Sequence, residues 1–216
     1  HDFDIAEQAY AIVLKIEPDN VLYNKHYAQF QYTTGQLFNA FFAYKKVMEL
    51  DSNNNEIPIK MGLLAANTKA IPFCQEGLSA LEQVLKKRPD DEILIRAKAQ
   101  IHALMSDYVD ASATYHLLQQ KKMATPNDML QHAISERRLN HKTKVDSLLE
   151  DIDDVCAIEL EKAEQVNDMA KKYKINSLQA RSRIVGDKLD DAGEILRKMS
   201  ADIQPESLHY DTESYF

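Results

Sequence analysis

The sequence predicts an all-α protein built from consecutive helical hairpins. Residues that favour helices dominate it, and its 216 residues include only 5 Gly and 6 Pro. A small residue is followed four positions later by an aromatic one and three positions after that by an aliphatic one, a spacing that places all three on one face of a helix. This pattern occurs twice, at Ala40, Tyr44 and Val47 and at Ala111, Tyr115 and Leu118.

The best-formed hairpin lies between Val21 and Asn54. Two helical patterns meet there at a turn around Gly35, which can bend the backbone without the steric penalty of a Cβ atom. Small Ala28 and Ala40 let the two helices approach each other closely, and the aromatic residues around them fill the space towards neighbouring hairpins. The spacing therefore predicts one helix on each side of residues 34–36.

This stretch resembles one tetratricopeptide repeat, a helix–turn–helix unit of about 34 residues. Tyr27-Ala28 matches the end of the first-helix pattern, and Ala40 begins the second-helix pattern. Asn24 stands where the family usually has Trp, and Ser52 where it usually has Pro. The resemblance implies a right-handed α-solenoid, in which hairpins stack into a curved array.

Neighbouring stretches extend the repeat pattern. Residues 4–18 match the second helix of a repeat whose first helix is absent, so we expect the chain to be a piece of a longer protein. The next repeat, 55–91, has three extra residues between Gly62 and Gly77, which we assign to a longer turn at 69–75 because Pro72 lies there. Residues 92–124 form the last clear repeat, and residues 1–124 as a whole are predicted to be one repeat domain.

After Ala124 the pattern weakens, and we predict degenerate hairpins over residues 125–204. A separate helical domain is the alternative. Residues 205–216 are expected to form a flexible tail, although its aromatic residues could instead dock into a groove. The predicted helices are one capped by Thr125 or Asn127 and ending near Leu139, one over 144–152, one capped by Asp153-Asp154 and ending near 172, and a last hairpin of 176–185 and 190–199.

Charge and composition narrow the function classes. The net charge of −8 argues against non-specific nucleic-acid binding, which needs cations to neutralise phosphates, and against anionic membrane surfaces. No apolar run approaches the roughly 18 residues that a membrane span needs. Cys74 and Cys156 lie in different predicted hairpins and imply no disulfide. We expect a cytoplasmic protein, with a removed signal peptide left open.

The sequence contains no recognisable catalytic motif. Gly-rich phosphate loops, HExxH and GxSxG are absent, so neither an enzyme nor a cofactor is predicted. The histidines are scattered, and His132 and His141 do not have ligand spacing on one helix. Asp151, Asp153 and Asp154 lack the spacing of a calcium loop, so no metal site is predicted and these carboxylates are expected to be solvated or capping.

The resemblance implies a partner-binding groove on the first helices, on the face opposite the small Ala and Gly residues. Such a groove suits an extended peptide, since its amides can bond the peptide backbone and its cations can meet acidic side chains. Lys25 and Arg96 also suggest the carboxylate clamp of repeat proteins that hold chaperone C-termini, but Gln29 and Lys60 stand where that clamp has Asn. The predicted groove residues are Lys25, Gln29, Tyr32, Ile59, Leu63, Asn67, Arg96 and Gln100.

The sequence therefore predicts a non-enzymatic scaffold that binds a protein or peptide on the concave face of a solenoid. One alternative is a regulatory interaction module of a larger signalling protein or enzyme, which the mid-repeat start suggests. Another is a self-assembly module that forms homo-oligomers through the irregular C-terminal half. Neither nucleic acid nor membrane insertion is expected.

Overall fold

The computed structural model describes residues 2–54, 56–68 and 71–201, and over these the chain forms helices and no strands. The tail predicted at 205–216 lies outside the described residues. The helices are α1 (Asp2–Ile16), α2 (Val21–Thr33), α3 (Leu37–Leu50), α4 (Glu56–Thr68), α5 (Ile71–Leu85), α6 (Glu92–Leu104), α7 (Tyr108–Gln120), α8 (Pro126–Arg138), α9 (Lys142–Gln165), α10 (Met169–Val185) and α11 (Leu189–Ala201).

The chain divides into two compact units, His1–Thr114 and Tyr115–Phe216. Each unit has its own hydrophobic core. The core of the first unit lies between α2 and α6 and includes Phe41, Leu81 and Ile101, while the core of the second is built on α8, α9 and α10. The predicted all-α repeat architecture is confirmed, and the predicted domain boundary after Ala124 stays a prediction.

In the first unit α2 packs on α3 and α4 on α5, as the hairpin pattern predicts. First helices of consecutive hairpins also meet, because α4 packs on α6. Two glycines allow the close approach of α4 and α5: a Cβ atom on Gly62 would overlap Leu81, and one on Gly77 would overlap the Cβ of Ala65. Both glycines occupy the positions predicted for small hairpin residues.

Left-handed residues end many of the helices. Gly35 has a φ of 77° in the first predicted turn, and Asn140 has a φ of 61° between α8 and α9. A residue in this conformation after the last helical turn lets its neighbours' N–H groups bond the final carbonyls of the helix. The same conformation recurs at Ser106, Lys122, Asn167 and Asp187.

In the second unit α8 packs on α9, α10 packs on α11, and the first helices α8 and α10 also meet. Thr125 caps α8 in a capping box, in which Asp128 N donates to Thr125 Oγ1 and Thr125 N donates to Asp128 Oδ2 at 2.8 Å. Of the two predicted caps, Thr125 and Asn127, the structure has Thr125. Among the described residues, no helix combines the length and the apolar character that crossing a bilayer requires.

The prediction of a helix boundary at Asp153-Asp154 is wrong. A single helix of 24 residues, α9, runs through both aspartates. Asp153 does not cap a helix, because its carboxylate pairs with Arg183 of α10 at 2.7 Å. The chain turns instead at Asn167, which has a φ of 53°, and Asp168 then caps α10.

The prediction of a longer turn at 69–75 is also wrong over 71–75, while residues 69 and 70 lie outside the described residues. Helix α5 begins at Ile71, so Pro72 lies in its first turn. Proline is tolerated there because the first N–H groups of a helix have no partner within the helix. The extra residues before Gly77 therefore lengthen α5 at its start instead of forming a loop.

Candidate partner-binding groove

The first helices of the first unit bring three of the predicted groove residues to one cavity. Gln29 and Tyr32 lie one turn apart on α2, and Leu63 lies on α4. The cavity measures about 290 Å³ and is also lined by Tyr44, Lys60 and Leu64. Tyr32 is 44% exposed, so an apolar surface at the cavity is accessible to a partner.

The polar centre of this cavity is the side-chain oxygen of Gln29. Tyr44 Oη donates to Gln29 Oε1 at 3.1 Å, and Lys60 Nζ donates to the same oxygen at 2.9 Å. The Lys60 ammonium also lies 5.5 Å from the centre of the Tyr44 ring, within cation–π range. Burial, with a smaller effect of nearby Tyr32, raises the pKa of Tyr44 to about 12, so its phenol stays protonated and keeps donating at neutral pH.

The two predicted cations of the groove already have partners within the chain. Lys25 Nζ lies 3.4 Å from Glu56 Oε2, and Arg96 Nη2 donates to Glu92 Oε1 at 2.8 Å. The Lys25–Glu56 pair is exposed, and surface ion pairs of this kind contribute about 0–1 kcal/mol. An acidic group on a partner can therefore compete for Lys25 at small cost.

The remaining predicted residues lie outside the cavity. Ile59 is half-buried against the core of the first unit, which gives it a packing role. Asn67 is exposed near the end of α4, and Gln100 is half-buried on α6. The structure thus gathers Gln29, Tyr32 and Leu63, and spreads the other five along the three first helices.

The groove prediction missed three lining residues of the cavity, Tyr44, Lys60 and Leu64, of which Lys60 is the charged one. The contact of Lys60 follows a regular sequence spacing. Gln29 and Lys60 are 31 residues apart, and Lys25 and Glu56 are separated by the same number. The pair Lys45 and Glu76 on the second helices shows the same separation. A separation of 31 equals a repeat of about 34 residues less one helical turn.

A second group of polar residues lies at the start of α7. His102 Nδ1 lies 3.2 Å from Asp107 Oδ2, and Asp110 is close enough to complete a set of three potential metal ligands. Asp107 also accepts from Asp110 N at 3.4 Å. Capping of α7 thus accounts for the position of Asp107, and the arrangement needs no metal.

In the second unit, histidines that the sequence left apart meet at one buried carboxylate. Glu136 is 1% exposed, and its oxygens lie 2.5 Å from His141 Nδ1, 3.2 Å from Lys144 Nζ and 3.4 Å from His132 Nε2. His132 Nδ1 in turn lies 2.7 Å from Gln119 Oε1. Three basic groups around one carboxylate compensate its burial and join α8 to the start of α9.

No protein-family model and no curated protein matches the sequence. Solved structures do match over most of its length. A tetratricopeptide-repeat protein from Parabacteroides merdae has a TM-score of 0.65 at 15% identity, with 94% of this chain and 75% of that chain covered. PilW, a type IV pilus biogenesis factor, gives 0.60 at 14% identity, with 93% and 86% covered.

MamA from Desulfovibrio magneticus RS-1, residues 41 to the end, gives a TM-score of 0.59 at 15% identity, with 84% of this chain and 93% of that chain covered. At these identities the likeness concerns the fold. The chain therefore has the tetratricopeptide-repeat fold that its sequence resembles, in a degenerate form.

Proposed function

We propose that the first unit is a protein-interaction module that binds an extended peptide segment along α2, α4 and α6, and that it performs no catalysis. The observation that supports this proposal is the cavity between Gln29, Tyr32 and Leu63, which combines an exposed aromatic ring with polar groups held in fixed positions. An apolar side chain of the segment would enter the cavity against Tyr32 and Leu63. Its backbone would bond to amides such as Gln100 on the same helices.

The polar side of the groove defines the preferred segment further. Lys25 on α2 and Arg96 on α6 carry positive charge, and each forms an ion pair with an acidic side chain of the chain itself. A segment with an apolar anchor flanked by acidic residues would displace those acids and satisfy both cations. The cytoplasm is the proposed location, because Cys74 and Cys156 are buried in different hairpins, an arrangement that suits a reducing compartment.

The test is selection of a random peptide library on the 216-residue protein, followed by affinity measurement of the selected peptides. Tyr32→Ala should weaken their binding about tenfold or more, because truncating an aromatic anchor typically costs that much or more at a protein interface. Phe42→Ala is the matched control, since Phe42 is an exposed aromatic residue on the second helix α3. Peptides that bind the Tyr32→Ala protein as tightly as the unchanged one, or that depend on Phe42 instead, would contradict the proposal.

A further inference from the structure

A second cavity lies within the second unit, between the middle of α9 and the end of α10. It measures about 210 Å³, below the roughly 300–1,000 Å³ of pockets that hold drug-sized molecules. Asp153 and Ser182 line it from the two helices, and Lys188 lines it from the turn that follows α10. Its size suits one side-chain-sized group.

Two residues that line this cavity each have a buried polar atom with no hydrogen-bond partner among the described residues. The two atoms are Asp153 Oδ1 and Ser182 Oγ. Ser182 is 1% exposed, and Asp153 uses only its other oxygen, Oδ2, to pair with Arg183 at 2.7 Å. Because buried polar groups in proteins are nearly always satisfied, these two atoms point to a donor that enters the cavity from outside.

The charges around the cavity favour a cation as that donor. Asp146, Glu150 and Asp153 follow one another at i, i+4 and i+7, so they form an acidic stripe on one face of α9. Arg183 is matched by its ion pair with Asp153. The exposed carboxylates of Asp146 and Glu150 then outnumber Lys188, and the cavity keeps a net negative charge.

The wall formed by the end of α10 is held in place by Arg137, which lies outside the cavity, and by packing against α9. Arg137 of α8 donates to the carbonyl of Ile184 at 3.2 Å, to the carbonyl of Val185, and to Asp187 Oδ1 at 2.7 Å. Gly186 packs directly against Leu149 of α9, since a Cβ atom there would lie 2.9 Å from the Leu149 side chain. The cavity is therefore formed before any ligand arrives, which lowers the entropic cost of binding.

We propose that this cavity binds an alkylammonium group. Two of its three N–H donors would bond Asp153 Oδ1 and Ser182 Oγ, and the third would face Asp146 or Glu150. A guanidinium is less suitable, because the cavity already contains that of Arg183. The same chemistry is offered by a lysine side chain of a partner protein and by a free alkylamine.

The test is an NMR titration of the 216-residue protein with n-butylammonium chloride and with the peptide acetyl-Ala-Lys-Ala-amide. Both should produce saturable shifts of the backbone amides from Ser182 to Lys188, whereas the peptide acetylated on its lysine should produce none. Tighter binding of the peptide would identify lysine of a protein as the source, and equal binding would identify a free amine. Absence of saturable shifts with both ammonium probes would overturn the proposal.

Ser182→Ala gives the second arm of the test. Its hydroxyl has no partner among the described residues, so the substitution should leave the melting temperature unchanged and weaken ammonium binding about tenfold, as expected for a lost hydrogen bond to a charged group. Asp154→Asn is the matched control, since Asp154 is exposed on α9 and does not line the cavity. Equal affinity of the Ser182→Ala and unchanged proteins would contradict the proposal, as would an equal loss with Asp154→Asn.

Discussion

At the scale of single residues, Gln29 shows how the groove depends on the core beneath it. Its side-chain oxygen accepts from buried Tyr44 and from Lys60 on the next hairpin. Replacing Gln29 would leave the Tyr44 hydroxyl without its acceptor, a change that destabilises the fold as well as the groove. Tyr32 is the better residue for testing partner binding, because it is exposed and makes no such bond in the described structure.

In the second unit, Glu136 is the polar residue that contacts several side chains, as Gln29 does in the first. Its carboxylate is compensated by His132, His141 and Lys144, and the three contribute unequally because His141 and Lys144 are exposed while His132 is buried. Burial lowers the pKa of His132, although the neighbouring Glu136 opposes this effect. The folded protein therefore binds a proton at His132 less readily than the unfolded chain does.

The lowered pKa of His132 predicts a loss of stability in acid. Below its ordinary value of 6.5 the unfolded chain gains a proton that the folded state resists, so the free energy of unfolding falls as pH falls through this range. Denaturant unfolding above and below pH 6.5 measures the change. His132→Gln should reduce this pH dependence, and His26→Gln, a change at an exposed residue, should leave it intact. The prediction fails if the two variants behave alike.

At the scale of helices, most elements were predictable from the sequence. The exceptions are helix boundaries that depend on contacts between residues far apart in the chain. The turns at Gly35, Asn140 and Gly186 were predictable, because they depend on residues that tolerate a tight turn. The continuity of α9 was not, because the pair of aspartates suggested a cap, whereas the Asp153 carboxylate pairs with Arg183 on another helix, a contact that the local sequence does not show.

In the candidate groove, too, features set by the local sequence were predictable and contacts between hairpins were not. The repeat register predicted Gln29, Tyr32 and Leu63, because positions on the exposed face of a first helix follow from the helical period. It did not predict that Lys60 would reach Gln29, since that contact depends on how one hairpin packs on the next. The register also predicted Ile59 as a groove residue. In the structure its side chain is instead half-buried against the core of the first unit.

The close approach of α4 and α5 predicts opposite effects for two substitutions of glycine. Gly77→Ala should destabilise the protein by about 1–3 kcal/mol, because its methyl group would overlap the Cβ of Ala65 and force the two backbones apart. Gly193→Ala on α11 meets no atom within 4 Å. It should stabilise the protein by about 0.5–1 kcal/mol through helix propensity.

Chemical denaturation of both variants measures the two effects. Close packing at Gly77 requires that the two changes in the free energy of unfolding have opposite signs. The prediction is contradicted if Gly77→Ala is as stable as Gly193→Ala, since helix propensity alone favours both changes equally.

At the scale of the whole molecule, two units with separate cores predict separate responses to core substitutions. Leu81 and Leu130 are fully buried, one in each unit. Leu81→Ala should cost about 2–5 kcal/mol and should reduce the hydrogen-exchange protection of α4 to α6 more than that of α8 to α10. In repeat proteins stability is approximately a sum of terms from neighbouring repeats, so the effect should remain local.

Hydrogen exchange followed by mass spectrometry measures this response, and Leu130→Ala is the reciprocal control. That variant should lower protection in α8 to α10 and leave α4 to α6 closer to the unchanged protein. Equal loss in both units for both variants would show a single cooperative structure.

Contacts between residues that are 31 positions apart limit which segments of such a protein can be recombined. Lys25–Glu56, Gln29–Lys60 and Lys45–Glu76 all span the junction between α3 and α4. The cavity is thus shared between two sequence repeats and contained in neither. A duplication or graft that transfers residues 21–54 alone would leave half of the cavity behind, whereas one that carries α2 to α5 together would transfer it whole. The smallest piece that carries the whole cavity is therefore a pair of adjacent hairpins.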